Sequence, residues 1–246
     1  MDILISAIVW LVCLPLAGLL FPVSLVIWFI TFPFDYERKL MHRWLTWQCT
    51  FFAYAVPLWK LKVEGREKAE KGTPYIIISN HQSTLDILVL DSLRYGFRWI
   101  SKIENFRVPV IGWYLRMAKY ITVERGNKDS KAEMMERCVD TLRKRISIMI
   151  FPEGTRSVDR EIAPFKLGAF QLALLTDKPI LPVVIDGTGG VLPKHGLILS
   201  RGHKIVIRVL DPVHPGSFGT SDPEELANRF RSLLTDELHN IRNGAQ

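Results

Sequence analysis

Two short polar segments hold residue types that do chemistry together. The first, Asn80-His81-Gln82-Ser83-Thr84-Leu85-Asp86, follows the apolar run Tyr75–Ser79. In α/β proteins, ligands and catalytic groups collect where strands end. Ser83 or Thr84 can cap a following helix whose apolar positions are Ile87, Leu88 and Leu90. Five residues do not align two side chains on one helix face. If His81 lies just outside the helix, however, the chain can fold back and let Asp86 reach Nδ1. A carboxylate there fixes the tautomer and leaves Nε2 free to take a proton. Taken alone, His-x4-Asp equally fits a capped helix beside a hydrogen-bonded histidine.

The second segment is Phe151-Pro152-Glu153-Gly154-Thr155-Arg156-Ser157, after the apolar run Ile146–Phe151. A glycine for close backbone approach, two hydroxyls and an arginine fork are equipment for holding a phosphate. Glu153 cannot bind a phosphate well; it either orients Arg156 or accepts from a substrate hydroxyl. The Gly-x4-Gly-Lys spacing of a Walker loop is absent. Two weaker groups lie between: Lys102, Glu104, Pro109 and Gly112, then Val123-Glu124-Arg125-Gly126.

The elements that must position these residues read as an α/β domain. Strands are predicted at Trp59–Val63, Tyr75–Ser79, Phe97–Ser101, Tyr120–Val123, Ile146–Phe151, Ile180–Ile185 and Lys204–Leu210, with helical patterns between them. Within Asp129–Ile146, the residues Ala132, Met135, Val139, Leu142 and Ile146 recur at helical spacing. A last helix opens at Ser221-Asp222-Pro223-Glu224-Glu225 and should bury Leu226, Phe230, Leu233, Leu234, Leu238 and Ile241. Strands alternating with helices argue a mixed, largely parallel sheet flanked by helices.

The front of the chain is different. Ile3 to Phe34 contains no charge, although the chain as a whole has a net charge of +7. An apolar end on a basic body suggests a surface lying against anionic lipid. No basic helix, zinc finger or aromatic-rich RNP pattern points to nucleic acid. Pro15, Gly18 and Pro22 interrupt the apolar segment, leaving Ile3–Leu14 and Val23–Phe32, each about half a bilayer deep at ~1.5 Å per residue. These favour a re-entrant or monotopic helical hairpin in one leaflet over one kinked span. A cleaved signal peptide fits poorly, because Asp2 replaces a basic start. Arg38, Lys39, His42 and Arg43 form a basic cluster expected on the cytoplasmic side. The uncharged, aromatic-rich stretch Trp44–Trp59 is either an interfacial belt or a core helix. The division expected is 1–58 for membrane-associated helices and 59–246 for the α/β domain. Three widely spaced cysteines exclude a disulfide framework and a structural zinc site, and fit a reducing compartment.

Taken together and in this order, the four polar groups resemble the glycerolipid acyltransferase family, most closely its bacterial 1-acyl-glycerol-3-phosphate (lysophosphatidic acid) branch, over roughly residues 60–212. Asn80-His81-x4-Asp86 matches the family's catalytic block, and Phe151–Ser157 its third block in full. Lys102 with Glu104, Pro109 and Gly112 looks like the second, more loosely. Ile180-Leu181-Pro182-Val183 looks like the fourth. The resemblance implies transfer of a fatty acyl group from acyl-CoA or acyl carrier protein to the free hydroxyl of a lysophospholipid. It implies His81 as general base, Asp86 as its orienter, and Arg125, Glu153, Gly154, Thr155 and Arg156 around the glycerol phosphate with Lys102 close by. No metal and no cofactor beyond the donor are expected. The partners are membrane lipid, lysophosphatidic acid and the thioester, with no nucleic acid. The expected location is the cytoplasmic face of the inner membrane.

Three rival readings remain. The acceptor could be a lyso-ornithine lipid or a lysophospholipid with a larger head group. A hydrolase using Ser83 would need a Gly-x-Ser-x-Gly elbow, which does not occur. A non-enzymatic lipid-binding protein would have no use for the intact His81 and Asp86.

Overall fold

The computed structural model describes residues 1–244. Seven strands form one sheet in the order β1-β7-β6-β2-β5-β3-β4. They are β1 (Trp59–Glu64), β2 (Ile76–Ser79), β3 (Phe97–Lys102), β4 (Ile121–Val123), β5 (Ser147–Ile150), β6 (Ile180–Asp186) and β7 (His203–Val209). Every neighbouring pair is parallel except β6 and β7, so the sheet is mixed and largely parallel, as the alternating pattern predicts. Parallel strands need crossovers, which cover both faces and turn the central strands into continuous apolar runs. In β2 all four residues are buried. Ile77 faces one core with Met149 and Val183, while Ile76 and Ile78 face the other with Ile148 and Val184.

The second core is closed by α5 (Lys128–Arg143), α6 (Gly168–Thr176) and α8 (Pro223–Asn243). Asn127 caps α5, accepting at Oδ1 from the N–H groups of Asp129 and Ser130. In α5, Cys138 and Leu142 are buried whereas Ala132 is exposed; in α8, Leu233 is exposed. Those two positions correct the predicted stripes, because each lies at the margin of the face that meets the sheet.

The first core is closed by α2 (Lys39–Ala55), α3 (Leu85–Leu90) and α4 (Ile111–Met117). Met41, Leu45 and Ala53 of α2 are buried, while Trp47, Phe51 and Tyr54 point outward. The stretch read as either belt or core is both, on opposite faces of one helix. His42 is buried, and burial, with Arg98 nearby, pushes its pKa down to about 3. It is therefore a neutral core residue, and Arg38 is buried too, so the expected basic cluster reduces to Lys39 and Arg43 at the surface.

No turn forms at Pro15–Pro22. Asp2–Thr31 is one α-helix, α1, which continues through both prolines. The hairpin lies further along, where residues 32–38 return the chain from α1 into α2. The reason is support from the body along the whole length of α1. Leu199 N–H donates to Ser6 Oγ at 2.8 Å, and Trp10 Nε1 donates to the Leu197 carbonyl at 2.9 Å. Phe21 packs on Trp113 and Tyr114, and Trp44 Nε1 donates to Ser24 Oγ at 2.8 Å. The three buried residues of α1 are the hydroxyl-bearing Ser6, Ser24 and Thr31; Ile5, Val9, Phe21 and Trp28 pack half-buried on the first core, and apolar residues such as Leu4, Leu11, Leu19, Val26 and Phe29 line the outer face. Length and composition would let α1 cross a bilayer.

Candidate active site

The strand order decides where the polar segments meet. β6, β2, β5, β3 and β4 are consecutive neighbours, and their carboxyl ends lead to Asp186, Asn80, Phe151, Lys102 and Arg125 respectively. Segments far apart in sequence therefore line one edge of the sheet.

His81 sits in the turn between β2 and α3, and Asp86 in the first turn of α3. His81 Nδ1 and Asp86 Oδ2 are 2.7 Å apart, so the chain folds back as the spacing allows. The same oxygen accepts from the N–H groups of Gln82 and Ser83 at 2.7 and 2.9 Å, and Thr188 donates its hydroxyl to Oδ1. Asp86 is completely buried, and four donors fix its plane. A carboxylate accepts only, so Nδ1 must carry the proton and Nε2 keeps its lone pair. The hydroxyl of Thr188 comes from α7 (Thr188–Val191), which makes the Asp186–Gly190 loop part of the site.

The second segment holds the first. Glu153 Oε1 accepts from the His81 N–H at 2.7 Å, and the Ser157 N–H donates to the His81 carbonyl at 2.8 Å. The Phe151 ring stacks on the imidazole, with centroids 3.9 Å apart and planes 7° from parallel, and Trp99 stacks behind it. His81 is thus gripped at its N–H, its carbonyl and one face of its ring. The second oxygen of Glu153 accepts from the Ala163 N–H at 3.0 Å. Both oxygens are committed to backbone and neither meets Arg156, so Glu153 stands here as a clamp on the loop. Burial lifts its pKa to about 7, against the pull of these two N–H groups.

The cations fall into two groups. Arg125 donates to the Gly154 carbonyl, and Lys166 lies where a side chain on Gly154 would collide with it. Gly154 has φ near +68°, so a glycine serves both the backbone and the space. Burial lowers the Lys166 pKa first, and Arg125, Lys131 and Lys102 lower it further, which marks one mutually repelling patch. Burial also lowers that of Arg125, against the pull of Glu104. Arg156 is apart from this patch; it donates to Thr84 Oγ1 at 2.7 Å, on the α3 side, and its carbonyl accepts from Lys194 Nζ at 2.6 Å. Thr155 is exposed at the loop tip. Sequence reasoning missed Lys166 and Lys194. Only the lone lysine of Pro164-Phe165-Lys166 hinted at the first, and nothing marked Lys194. The glycine-rich loop Asp186-Gly187-Thr188-Gly189-Gly190 after a strand reads as a flexible segment near the site, without a role for Thr188.

Ser83 cannot act as a nucleophile in this arrangement. It is buried, and its hydroxyl donates to the Leu192 carbonyl at 2.6 Å instead of to His81.

Residues 60–186 match the family model described as Acyltransferase, which is more than half of the chain. The chain belongs to the acyltransferase family. Among curated members it is 32% identical over 210 residues to a 1-acyl-sn-glycerol-3-phosphate acyltransferase of Saccharomyces cerevisiae, covering 83% of this chain and 68% of that one. The enzyme of the same name in Escherichia coli is 30% identical over 193 residues, covering 76% and 77%. A chloroplastic relative of that name in Arabidopsis thaliana is 34% identical over 229 residues, or 90% of this chain. The chain spans about six tenths of that plant protein's length. In fold, it is similar to the crystal structure of the 1-acyl-sn-glycerophosphate (LPA) acyltransferase PlsC from Thermotoga maritima. The TM-score is 0.81, with 24% identity and 98% of each chain covered.

Proposed function

We propose that this acyltransferase-family chain moves a fatty acyl group from a thioester to the 2-hydroxyl of 1-acyl-glycerol-3-phosphate, giving phosphatidic acid. The observation that carries the reading is a clamped His81–Asp86 pair beside the patch of Lys102, Arg125 and Lys166. The names of the yeast and E. coli relatives support it.

A thioester carbonyl is already activated, so the protein has only to deprotonate the alcohol as it attacks. His81 Nε2 takes the hydroxyl proton while the oxygen bonds to the carbonyl carbon, and Asp86 stabilises the resulting imidazolium. The tetrahedral intermediate collapses, the C–S bond breaks, and the same proton passes to the departing sulfur as free thiol. Lys102, Arg125 and Lys166 hold the phosphate, with Gly154 keeping the approach open, and Arg156 flanks the other side of His81. Anchoring the phosphate removes much of the entropic cost of bringing the hydroxyl to the base. Acyl-CoA and acyl carrier protein both suit the +7 chain as donor.

α1 supports the membrane placement. Its outer face exposes Leu4, Leu11, Leu19, Val26 and Phe29, while the body supports its inner face from Ser6 to Thr31. Such a helix lies along the protein and sinks its outer side into one leaflet, at the cytoplasmic face. Acceptor and acyl chains then enter from lipid.

The test is thiol release from oleoyl-CoA, and from oleoyl carrier protein, with lysophosphatidic acid or lysophosphatidylcholine as acceptor. Release that depends on lysophosphatidic acid is expected, and equal rates with the choline lipid would contradict a phosphate-monoester site.

A further inference from the structure

A cavity of about 540 Å³ runs beside β4, one of the two edge strands of the sheet, and none of the residues placed at the reaction site lines it. Arg98, Arg116, Lys119, Arg137 and Lys144 line its wall against two acids, Glu37 and Asp140. Lys144 engages both acids, at 3.2 and 2.8 Å, and Arg137 is held by Glu133, which is not part of the wall, at 2.6 Å. Arg98, Arg116 and Lys119 make no ion pair among the described residues.

Arg98 is the telling member. It is 3% exposed, and its guanidinium has backbone carbonyls as partners, those of Phe97 and Glu37. A buried guanidinium ordinarily faces an acid, because an uncompensated charge away from water is costly. Burial pulls its pKa down, and Tyr120, Glu37 and Asp35 nearby offset that only in part, none of them in an ion pair with it. Its bond to Glu37 explains how it braces the α1–α2 turn. That bond does not explain why Arg116 and Lys119 line the same cavity.

We propose that this cavity is a second phosphate site, filled by the head group of an anionic phospholipid from the leaflet on which the protein sits. Its neighbour is the α1–α2 turn, where Phe32, Phe34 and Tyr36 are exposed as interfacial aromatics are. Lys119 Nζ donates to the Tyr36 carbonyl at 2.6 Å, so the cationic wall and the aromatic turn are joined. Ile103, Phe106 and Ile121 supply apolar wall for the glycerol and first methylenes. A soluble anion would use the cations and leave that apolar wall and the aromatic rim without a role. The inference rests on the membrane placement of α1, not on acyl transfer.

Native mass spectrometry of the full chain in neutral-detergent micelles, counting bound dioctanoyl-phosphatidylglycerol, tests it. One saturable lipid is expected on the wild type. Binding should weaken about tenfold or more in R116Q/K119Q, both exposed positions, since each charge-assisted bond lost is costly. K102Q should bind as wild type does, which separates the cavity from the acceptor site. Dioctanoyl-phosphatidylcholine should bind much more weakly. The proposal is overturned by equal binding of the choline lipid, or by an unaffected double variant. It is equally overturned by K102Q weakening binding as much as the double variant, or by inorganic phosphate displacing the lipid at comparable concentration, which would make this a soluble-anion site.

Discussion

Glu153 and Lys166 sit within one loop system yet should fail differently when changed. Glu153 accepts from two backbone N–H groups, one of them that of His81. Glu153→Gln turns an amide NH2 toward one of those donors and loosens the base without touching the acceptor. We expect kcat to fall about 10²-fold, the scale of a misplaced catalytic group, with acceptor KM little changed. Lys166→Ala removes a cation beside Gly154, so acceptor KM should rise with kcat nearly kept. Steady-state kinetics over acceptor concentration separates the two; the same split in both variants would refute the assignment of clamp and phosphate ligand. That Glu153 is a clamp was not legible in the sequence, where a carboxylate beside glycine and arginine suggests substrate contact. Which amide it meets depends on β2 and β5 being neighbours, which residue order does not state. His81 and Asp86 were legible because their pairing is local.

Among the elements, the central strands were readable because each is a short apolar run buried on both faces, and edge strand β1 because Trp59, Leu61 and Val63 alternate with charged residues. The course of α1 was not. Proline argues locally for a break, but contacts from Leu199, Tyr114 and Trp44 hold the helix through it. If the outer face of α1 lies in lipid, L11E/V26E should weaken partition to vesicles by roughly tenfold or more, from the lost burial of two large side chains. The melting temperature in detergent should stay unchanged. Undiminished flotation with vesicles would show that α1 is not the membrane surface. α2 carries a second consequence. Asp91 is buried between Thr46 of α2 and Trp99 of β3, and burial lifts its carboxyl to about 7. Between the ordinary carboxylate value and about 7 the folded chain keeps a proton that the unfolded chain has released. The contribution of Asp91 therefore falls as pH rises through that window, and Glu153, also near 7, adds to the slope, while buried neutral His42 opposes it below about pH 6.5. Melting midpoints at about pH 5 and about pH 8 should show the wild type losing stability, and Asp91→Asn losing less. Identical slopes would mean that Asp91 keeps no proton in the fold.

At the scale of the whole molecule, two surfaces meet. α1, α2 and α4 present Leu11, Trp47, Phe51 and Trp113 on the apolar outer side, while the carboxyl edge of the sheet gathers the base and the cations. On the proposed reading, an acceptor keeps its acyl chain in lipid while its phosphate meets Arg125 and its hydroxyl meets His81. The general base is the central claim of that arrangement. The measurement that tests it most directly is lysophosphatidic-acid-dependent thiol release from acyl-CoA and acyl carrier protein by the wild type and by His81→Ala, alongside their melting temperatures. Removing the base should cut the rate by about 10²- to 10⁴-fold while the fold remains as stable. A folded His81→Ala protein that transfers acyl groups at the wild-type rate would contradict it.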